Sequence, residues 1–408
     1  VEDVFGMGQT VLTPTPPRLE EPPLEPLPPA LVLAVEVPYW ELARRLSRAD
    51  LDYLTDTDTN VGALACAGGT GQLNWQLATG PTSADLEAVA LEDYAPLLTL
   101  GQALPASEAD ALAVPVTALA QPERLAVGDY AYLVDALGAI REAVAILAFD
   151  AAAGTVDLAR GVLDTTPQAH AAGTRLVGVG EWLAAETVER APGESVFVAA
   201  VPRTASAEGD AVLAANGAPL VLAGRQARPY PPGRGRLNGQ REPALVAAVP
   251  RTASAEGDTV LAANGAPIVL AGRQARPYPP GRIRLNGQRE PAVVAGDLTL
   301  TWAHRDRTLQ TAYLVRQDEG DIGPEPGTTY GVRLRDRHGS LVRSETGLTG
   351  NTWTWDVASA ALDAGVAGDR VTVEIEAERD GLVSWQAQVR TVERAGYGLR
   401  WGQHWGGV

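Results

Sequence analysis

A chain of 408 residues, 45% of them hydrophobic, is long enough for two to four domains and a sizeable core. Its formal net charge of −17 excludes the basic face that nucleic-acid phosphates require, and its single cysteine, Cys66, excludes a disulfide framework within the chain. There is no run of about 18 apolar residues, so no transmembrane helix is expected.

Residues 1–30 read as a proline-rich arm. TPTPPRLEEPPLEPLPP (13–29) fixes φ at many positions and removes N–H donors, which predicts an extended, polyproline-like strap without sheet pairing. It serves as a spacer or as an arm along a neighbour. Residues 31–112 predict a small α+β module. It has a strand at Leu31–Glu36, a helix at Val37–Ala49, a strand over 72–79, and a short helix or loop over 82–94. Pro38 falls in the first helical turn, with Tyr39, Leu42 and Leu46 on one face and Arg44, Arg45 and Arg48 outward. Asp56-Thr57-Asp58-Thr59-Asn60-Val61-Gly62 resembles the first half of a calcium-binding EF-hand loop. Its glycine comes one position late, however, and Ala67 stands where the bidentate glutamate belongs, so a solvated Asx-rich turn is expected.

Residues 113–200 predict a β-barrel-like module. Its strands are Tyr130–Val134, Ala143–Phe149, Thr155–Ala159 and Arg175–Val179, separated by breaks at Gly138, Gly154 and Gly173. Residues 201–276 form a duplicated β-hairpin segment and connector. Val201–Ala248 and Val249–Gly296 match at 43 of 48 positions, the changes being Ala211/Thr259, Leu220/Ile268, Gly235/Ile283, Leu245/Val293 and Ala248/Gly296. Two near-identical copies are a duplicated segment and not a solenoid, which needs about three or more units. Each copy carries an Asn-Gly hairpin signal, Asn216-Gly217 and Asn264-Gly265. The second copy's RIRLNGQ reads as a strand with Ile283 and Leu285 inward, and Gly235 breaks that alternation in the first copy.

Residues 277–394 alternate most regularly. The inward sets are Leu298/Leu300/Trp302, Tyr330/Val332/Leu334 and Val371/Val373/Ile375/Ala377, with a short aromatic strand at Thr352–Trp355 and a final hairpin across Asp380-Gly381 completed by Trp385, Ala387 and Val389. Residues 395–408 are a Gly/Trp tail. Tyr397, Trp401 and Trp405 lie four apart among glycines that oppose a lone helix, so these rings are expected to bind a partner.

Seven short strands in this span, with PYPPGRIRL (278–285), LTLTW (298–302) and TTYGVRLRD (328–336), resemble a fibronectin type III domain. VTVEIEA lacks the usual tyrosine of the penultimate strand, and a long loop bearing DEGDIGPEPG separates Trp302 from Tyr330. The expected fold class is thus mainly β and multi-domain: a small antiparallel barrel or sandwich, then a fibronectin type III-like sandwich, with a minor α/β N-terminal part. The module order resembles tail-tip or baseplate-hub proteins of long-tailed (siphovirus-like) bacteriophages. The residues that carry this are DVFG and the strap (3–29), EVPYWELARRL (36–46), FDAAAGTVDLARGVLDTTPQAHAAGTRL (149–176) and GYGLRWGQHWGG (396–407), with ARGVLDTTPQAH weighted most. The resemblance implies a virion structural protein of the phage tail, a homotrimer at the tip. Its partners would be distal-tail, tail-tube, tape-measure and fibre proteins, and its role host attachment.

No constellation for chemistry stands out, and no enzyme activity, cofactor or metal is expected. His170, His304, His338 and His404 sit outside any HExxH or CxxH setting and read as solvated. Gly68-Gly69-Thr70-Gly71 lacks a phosphate-binding lysine, Cys66 reads as a small buried or interfacial residue and not a nucleophile, and Asp318 and Glu319 share a loop with no apolar pocket to split their pKa values. Two rival readings remain: a tail-associated cell-wall hydrolase, which needs a clefted titratable cluster, and a secreted adhesin with a fibronectin-like module, which needs a secretion signal that residues 1–12 do not display.

Overall fold

A computed structural model describes residues 25–53, 59–205, 207–215, 268–269, 271–356 and 370–394. The chain is mainly β. It begins with β1 (Leu31–Glu36), buried along its whole length, and two short helices, α1 (Tyr39–Arg45) and α2 (Arg48–Tyr53). The single helix expected over Val37–Ala49 divides because Leu46 is extended (ψ 152°) and the Ser47 hydroxyl accepts the Asp50 N–H at 3.2 Å, capping a new first turn. Leu46 is left 36% exposed, while Trp40 and Glu41 are buried in its stead.

β2 (Val61–Cys66) pairs antiparallel with β1. Val61 and Gly62 of the EF-hand-like stretch lie in this strand, and residues 54–58 lie outside the described residues. β3 (Asn74–Gly80) pairs with β4 (Glu87–Glu92). β4 replaces the helix or loop expected over 82–94. It is the edge of its sheet and mostly exposed, so burial imposes no alternation on its sequence.

β5 (Leu97–Leu100), β6 (Ala111–Ala120), β7 (Tyr130–Val134), β8 (Ile140–Asp150), β9 (Thr155–Ala159) and β10 (Arg175–Gly178) close into a barrel in the order β10-β5-β6-β9-β8-β7. The barrel therefore starts ahead of the boundary expected at 113. β5 is four residues long and nearly all buried, too short to show a period. The β8–β9 hairpin turns where Asp150 Oδ1 accepts the Ala152 and Ala153 N–H groups at 2.9 Å and Gly154 takes φ 64°.

β7 is buried on both faces. Ala131 and Leu133 fill the barrel interior with Leu98, Val144, Ile146 and Leu158. Tyr130, Tyr132 and Val134 pack outward against Leu33, Val35, Val37 and Trp40. The barrel and the N-terminal part thus share one core. β11 (Ala184–Ala185) joins β2, and β12 (Ser195–Arg203) pairs with β3. The sheet β1-β2-β11 is sandwiched between the barrel and the β12-β3-β4 sheet, through Val32, Ala34, Trp75, Leu77 and Val198. Two short strands, β13 (Val212–Leu213) and β14 (Ile268–Val269), both lie along β12. The Asn-Gly signals lie outside the described residues.

The C-terminal sandwich comprises β15 (Gly281–Leu285), β16 (Val293–Val294), β17 (Leu298–Ala303), β18 (Thr329–Arg335), β19 (Leu341–Leu348), β20 (Thr352–Trp355), β21 (Arg370–Arg379), β22 (Leu382–Val383) and β23 (Gln388–Arg394). One sheet is β15-β17-β20; the other is β16-β23-β21-β18-β19, with β22 on β21. All the expected inward residues of β17, β18 and β21 meet in one core with Ile283, Leu285, Trp353 and Trp355. The second copy of the duplicated unit supplies β15, Leu285 pairing with Leu300 of β17; Gly235–Leu237 of the first copy lies outside the described residues. The final hairpin turns at Asp380-Gly381 as expected, but Trp385 and Ala387 precede β23, and Val389 is 48% exposed. β23 instead buries Gln388, Arg390, Val392 and Arg394, because polar partners from elsewhere in the chain meet that side of the strand. Among the described residues no helix is long and apolar enough to cross a membrane.

Candidate functional site

Residues 159–174, ARGVLDTTPQAHAAGT, leave β9 and fold back over the barrel. Gly161 takes φ 60°, and a Cβ there would meet the Pro167 ring at 2.5 Å, so the tight reversal requires glycine. The reversal brings five donors onto Glu142, a fully buried carboxylate on β8. Oε1 accepts from Arg160 Nε at 2.8 Å and from the Gly161 N–H at 2.8 Å. Oε2 accepts from Arg160 Nη2 at 2.8 Å, the Gln168 N–H at 2.9 Å and His170 Nε2 at 2.8 Å. Burial pushes the Glu142 carboxyl up, but the hydrogen bonds from His170 and Arg160 outweigh it and hold the group below the usual glutamate range. A carboxylate with every lone pair occupied is a structural anion and a poor base. His170 is therefore no solvated histidine. It is buried, and the sequence reading missed it because its partner lies 28 residues earlier.

The same stretch and its neighbours bind the barrel to the sandwich. The Thr166 N–H and hydroxyl both donate to Gln386 Oε1, at 2.8 and 3.1 Å, and Gln386 Nε2 donates to the Arg141 carbonyl at 2.9 Å. Glu108, on the β5–β6 connection, accepts from Arg390 Nη2 at 2.5 Å, Arg284 Nη1 at 2.8 Å and the Ile283 N–H at 3.1 Å. Arg316 reaches Asp110 at 2.7 Å.

Arg273, from the second copy of the duplicated unit, is buried where three parts of the chain meet. Its guanidinium forks onto Asp164 of the barrel and lies over the rings of Tyr132 and Trp385 at 5.7 and 5.4 Å. Its backbone N–H donates to Glu36 Oε1 at 2.5 Å, and Glu36 also accepts from the Ala271 N–H at 2.8 Å and the Thr59 hydroxyl at 2.7 Å. Close by, Glu325 binds both Arg307 and Arg379, and Arg307 lies over the Tyr39 ring at 4.9 Å. Arg305 is buried, Gln310 Oε1 accepts from its Nε at 2.9 Å, and burial lowers its pKa to about 10.

A cleft of about 590 Å³ opens between barrel and sandwich, bordered by Thr166, Gln168, Leu285, Glu290, Val389 and Arg390. Its two charged residues are already engaged: Glu290 accepts the Glu108 N–H at 3.1 Å, and Arg390 holds the Glu108 side chain. The arrangement joins modules. Cys66 is buried, and burial raises its thiol to about 12, far from a reactive thiolate. Gln72 accepts the Gly68 and Gly69 N–H groups at 2.7 and 3.2 Å, so the glycine run is closed on its own chain. Asp318 pairs with Arg289 at 2.8 Å, and Glu319 caps the Arg316 N–H at 3.0 Å. His304 Nδ1 lies 2.7 Å from the Tyr330 hydroxyl, and His338 is exposed. Among the described residues no group of three or more His, Cys, Asp or Glu side chains is placed to hold a metal ion. Tyr397, Trp401, Trp405 and His404 lie outside the described residues.

No family model matches the chain, and no curated protein matches it. Among solved structures, one described as "Biofilm associated protein - BSP domain" is similar at 10% identity and a TM-score of 0.16, over 73% of this chain and 30% of that one. The chain therefore spans less than a third of that protein's length, and a superposition this loose carries no argument about fold or function.

Proposed function

We propose that the protein is a structural component of a bacteriophage tail tip, a hub that organises the distal tail and anchors fibres for host attachment. The observation that carries this reading is the double character of residues 159–174. They bear the strongest resemblance to tail-hub barrels, and they also tie the barrel to its neighbours, Asp164 holding Arg273 and Thr166 holding Gln386. A buried junction whose carboxylates are held by arginines and backbone amides suits a part that must keep its shape while other proteins assemble on it. The two-sheet sandwich supports the fibronectin type III-like assignment of residues 277–394. In this reading the chain is a homotrimer, and Tyr397, Trp401 and Trp405 dock on a neighbouring subunit or a fibre protein.

Antibodies raised against the purified chain provide the test, applied to phage particles and to bacterial cells under the electron microscope. Label at the distal end of tails is expected. Label confined to cell surfaces favours the adhesin reading and overturns this one, as does unlabelled phage. For the tail, Trp401→Ala with Trp405→Ala is expected to impair assembly while leaving the melting temperature of the isolated chain unchanged. Intact assembly with a lowered melting temperature would return those rings to the parent sandwich.

A further inference from the structure

The duplicated unit is present twice in the sequence and once in the described fold. Numbered within the 48-residue unit, Val201–Ala215 are positions 1–15 of the first copy, and Ile268–Gly296 are positions 20–48 of the second. Positions 16–19 are Asn-Gly-Ala-Pro in both copies. The first copy supplies the end of β12 and all of β13; the second supplies β14, Arg273, β15 and β16. Together they make one unit, less its four-residue turn, Ser206 and Leu270, which lie outside the described residues.

The two halves meet in space. The Ala214 N–H donates to the Val198 carbonyl at 2.9 Å, and Ile268 is opposite Val196, two residues along the same strand. Two strand residues and at most two strand spacings separate these points by roughly 12 Å. Four residues, with five links, reach about 17 Å. Asn-Gly-Ala-Pro alone can therefore join Ala215 to Ile268.

The seated half is also distinguishable from its twin. Of the exchanges between Leu220–Ala248 and Ile268–Gly296, Gly235/Ile283 is the one that removes a whole side chain from the sandwich core, where Ile283 is fully buried. Leu220/Ile268 and Leu245/Val293 are aliphatic swaps, and Ala248/Gly296 falls on an exposed position where φ is 72°, so alanine adds a smaller backbone strain there.

We infer that the fold requires one unit, assembled as a composite of the two copies, that Ile283 selects the second copy for β15, and that the other 48 residues are an insertion the fold does not need. A conformational choice is thus built into the chain, since two nearly identical segments compete for one seat. Removing residues 216–263 leaves 360 residues in which Ala215 is followed by Asn264. This variant is expected to fold, with the circular dichroism of the full chain and a melting temperature no more than about 4 °C lower. Failure to fold, or a larger fall, overturns the single-unit inference. A second variant, lacking 249–296, places Gly235 in β15. It is expected to melt below the first variant and to recover with Gly235→Ile. Equal melting temperatures of the two deletions, or no recovery, overturn the role of Ile283 while leaving the first comparison to stand or fall by itself.

Discussion

The barrel and the sandwich are held together by different means. The sandwich core is apolar and periodic: Leu298, Leu300 and Trp302 face Tyr330, Val332 and Leu334 across two sheets. The barrel has an apolar interior too, but beside it lies an ionic knot in which one carboxylate, Glu142, organises Arg160, His170 and two backbone amides. Apolar packing degrades in proportion to the area lost. A buried ionic knot fails abruptly, because removal of one member strands the others without solvent. The difference predicts that single substitutions in the knot do more damage than single methyl deletions in the sandwich.

Glu142→Ala should have the largest effect. It leaves the Arg160 guanidinium buried and unpaired, and a loss of about 3–5 kcal/mol is expected in denaturant unfolding. A loss below that of a conservative sandwich substitution would break the comparison. Acid titration sharpens it. The folded-state pKa of Glu142 is depressed below the ordinary 4.5, so its stabilising contribution is complete above that value and disappears as pH falls through the folded-state pKa. Glu41 has the opposite sign. Burial raises its carboxyl, Arg44 and Arg45 stand at 3.7 and 3.4 Å, and its contribution is lost as pH rises from 4.5 through the raised value. Glu41→Gln should therefore stabilise the protein at pH 7 and do little at pH 4, and a pH-independent effect would refute the assignment.

Glu108→Ala should rank second. It releases Arg284, Arg390 and the Ile283 N–H, but the two arginines lie nearer the surface and can recruit water, so about 1–3 kcal/mol is expected. Its signature is the separation of one calorimetric transition into two, as barrel and sandwich lose their coupling. Persistence of a single transition would place the coupling in the Arg273 and Thr166 contacts. Ile283→Val should be the mildest, costing about 0.5–1.5 kcal/mol through one buried methyl group.

Much of the sandwich was legible because burial on one face stamps a period of two on each strand, as in Val371, Val373, Ile375 and Ala377. The limits of β7 and β9 also match the expected strands, β9 through its alternation and β7 as a short apolar run between turns, buried on both faces. β4 and β5 were not legible, one for want of burial and one for want of length. The junction was hidden for another reason. Glu36, Glu108, Glu142 and Arg273 are single polar residues, and their partners lie up to 282 residues away. No local pattern marks such a residue. What the sequence did hold was the absence of lysine: every buried cation at the junction is an arginine, whose planar fork can satisfy two acceptors without water. The glycine and proline of ARGVLDTTPQAH signalled a tight reversal, though not which carboxylate it would enclose.

The spread of these contacts bears on how the molecule would carry load. Glu108 with Arg390 and Asp110 with Arg316 join the sandwich to the β5–β6 connection, and Thr166 with Gln386 joins it to the stretch after β9. A force drawing barrel and sandwich apart would stretch all three together, as rivets across a plate share a shear. Modules strung on a linker yield by swinging about it. These two, riveted at several points, would pass a pull or a twist from one to the other with little give.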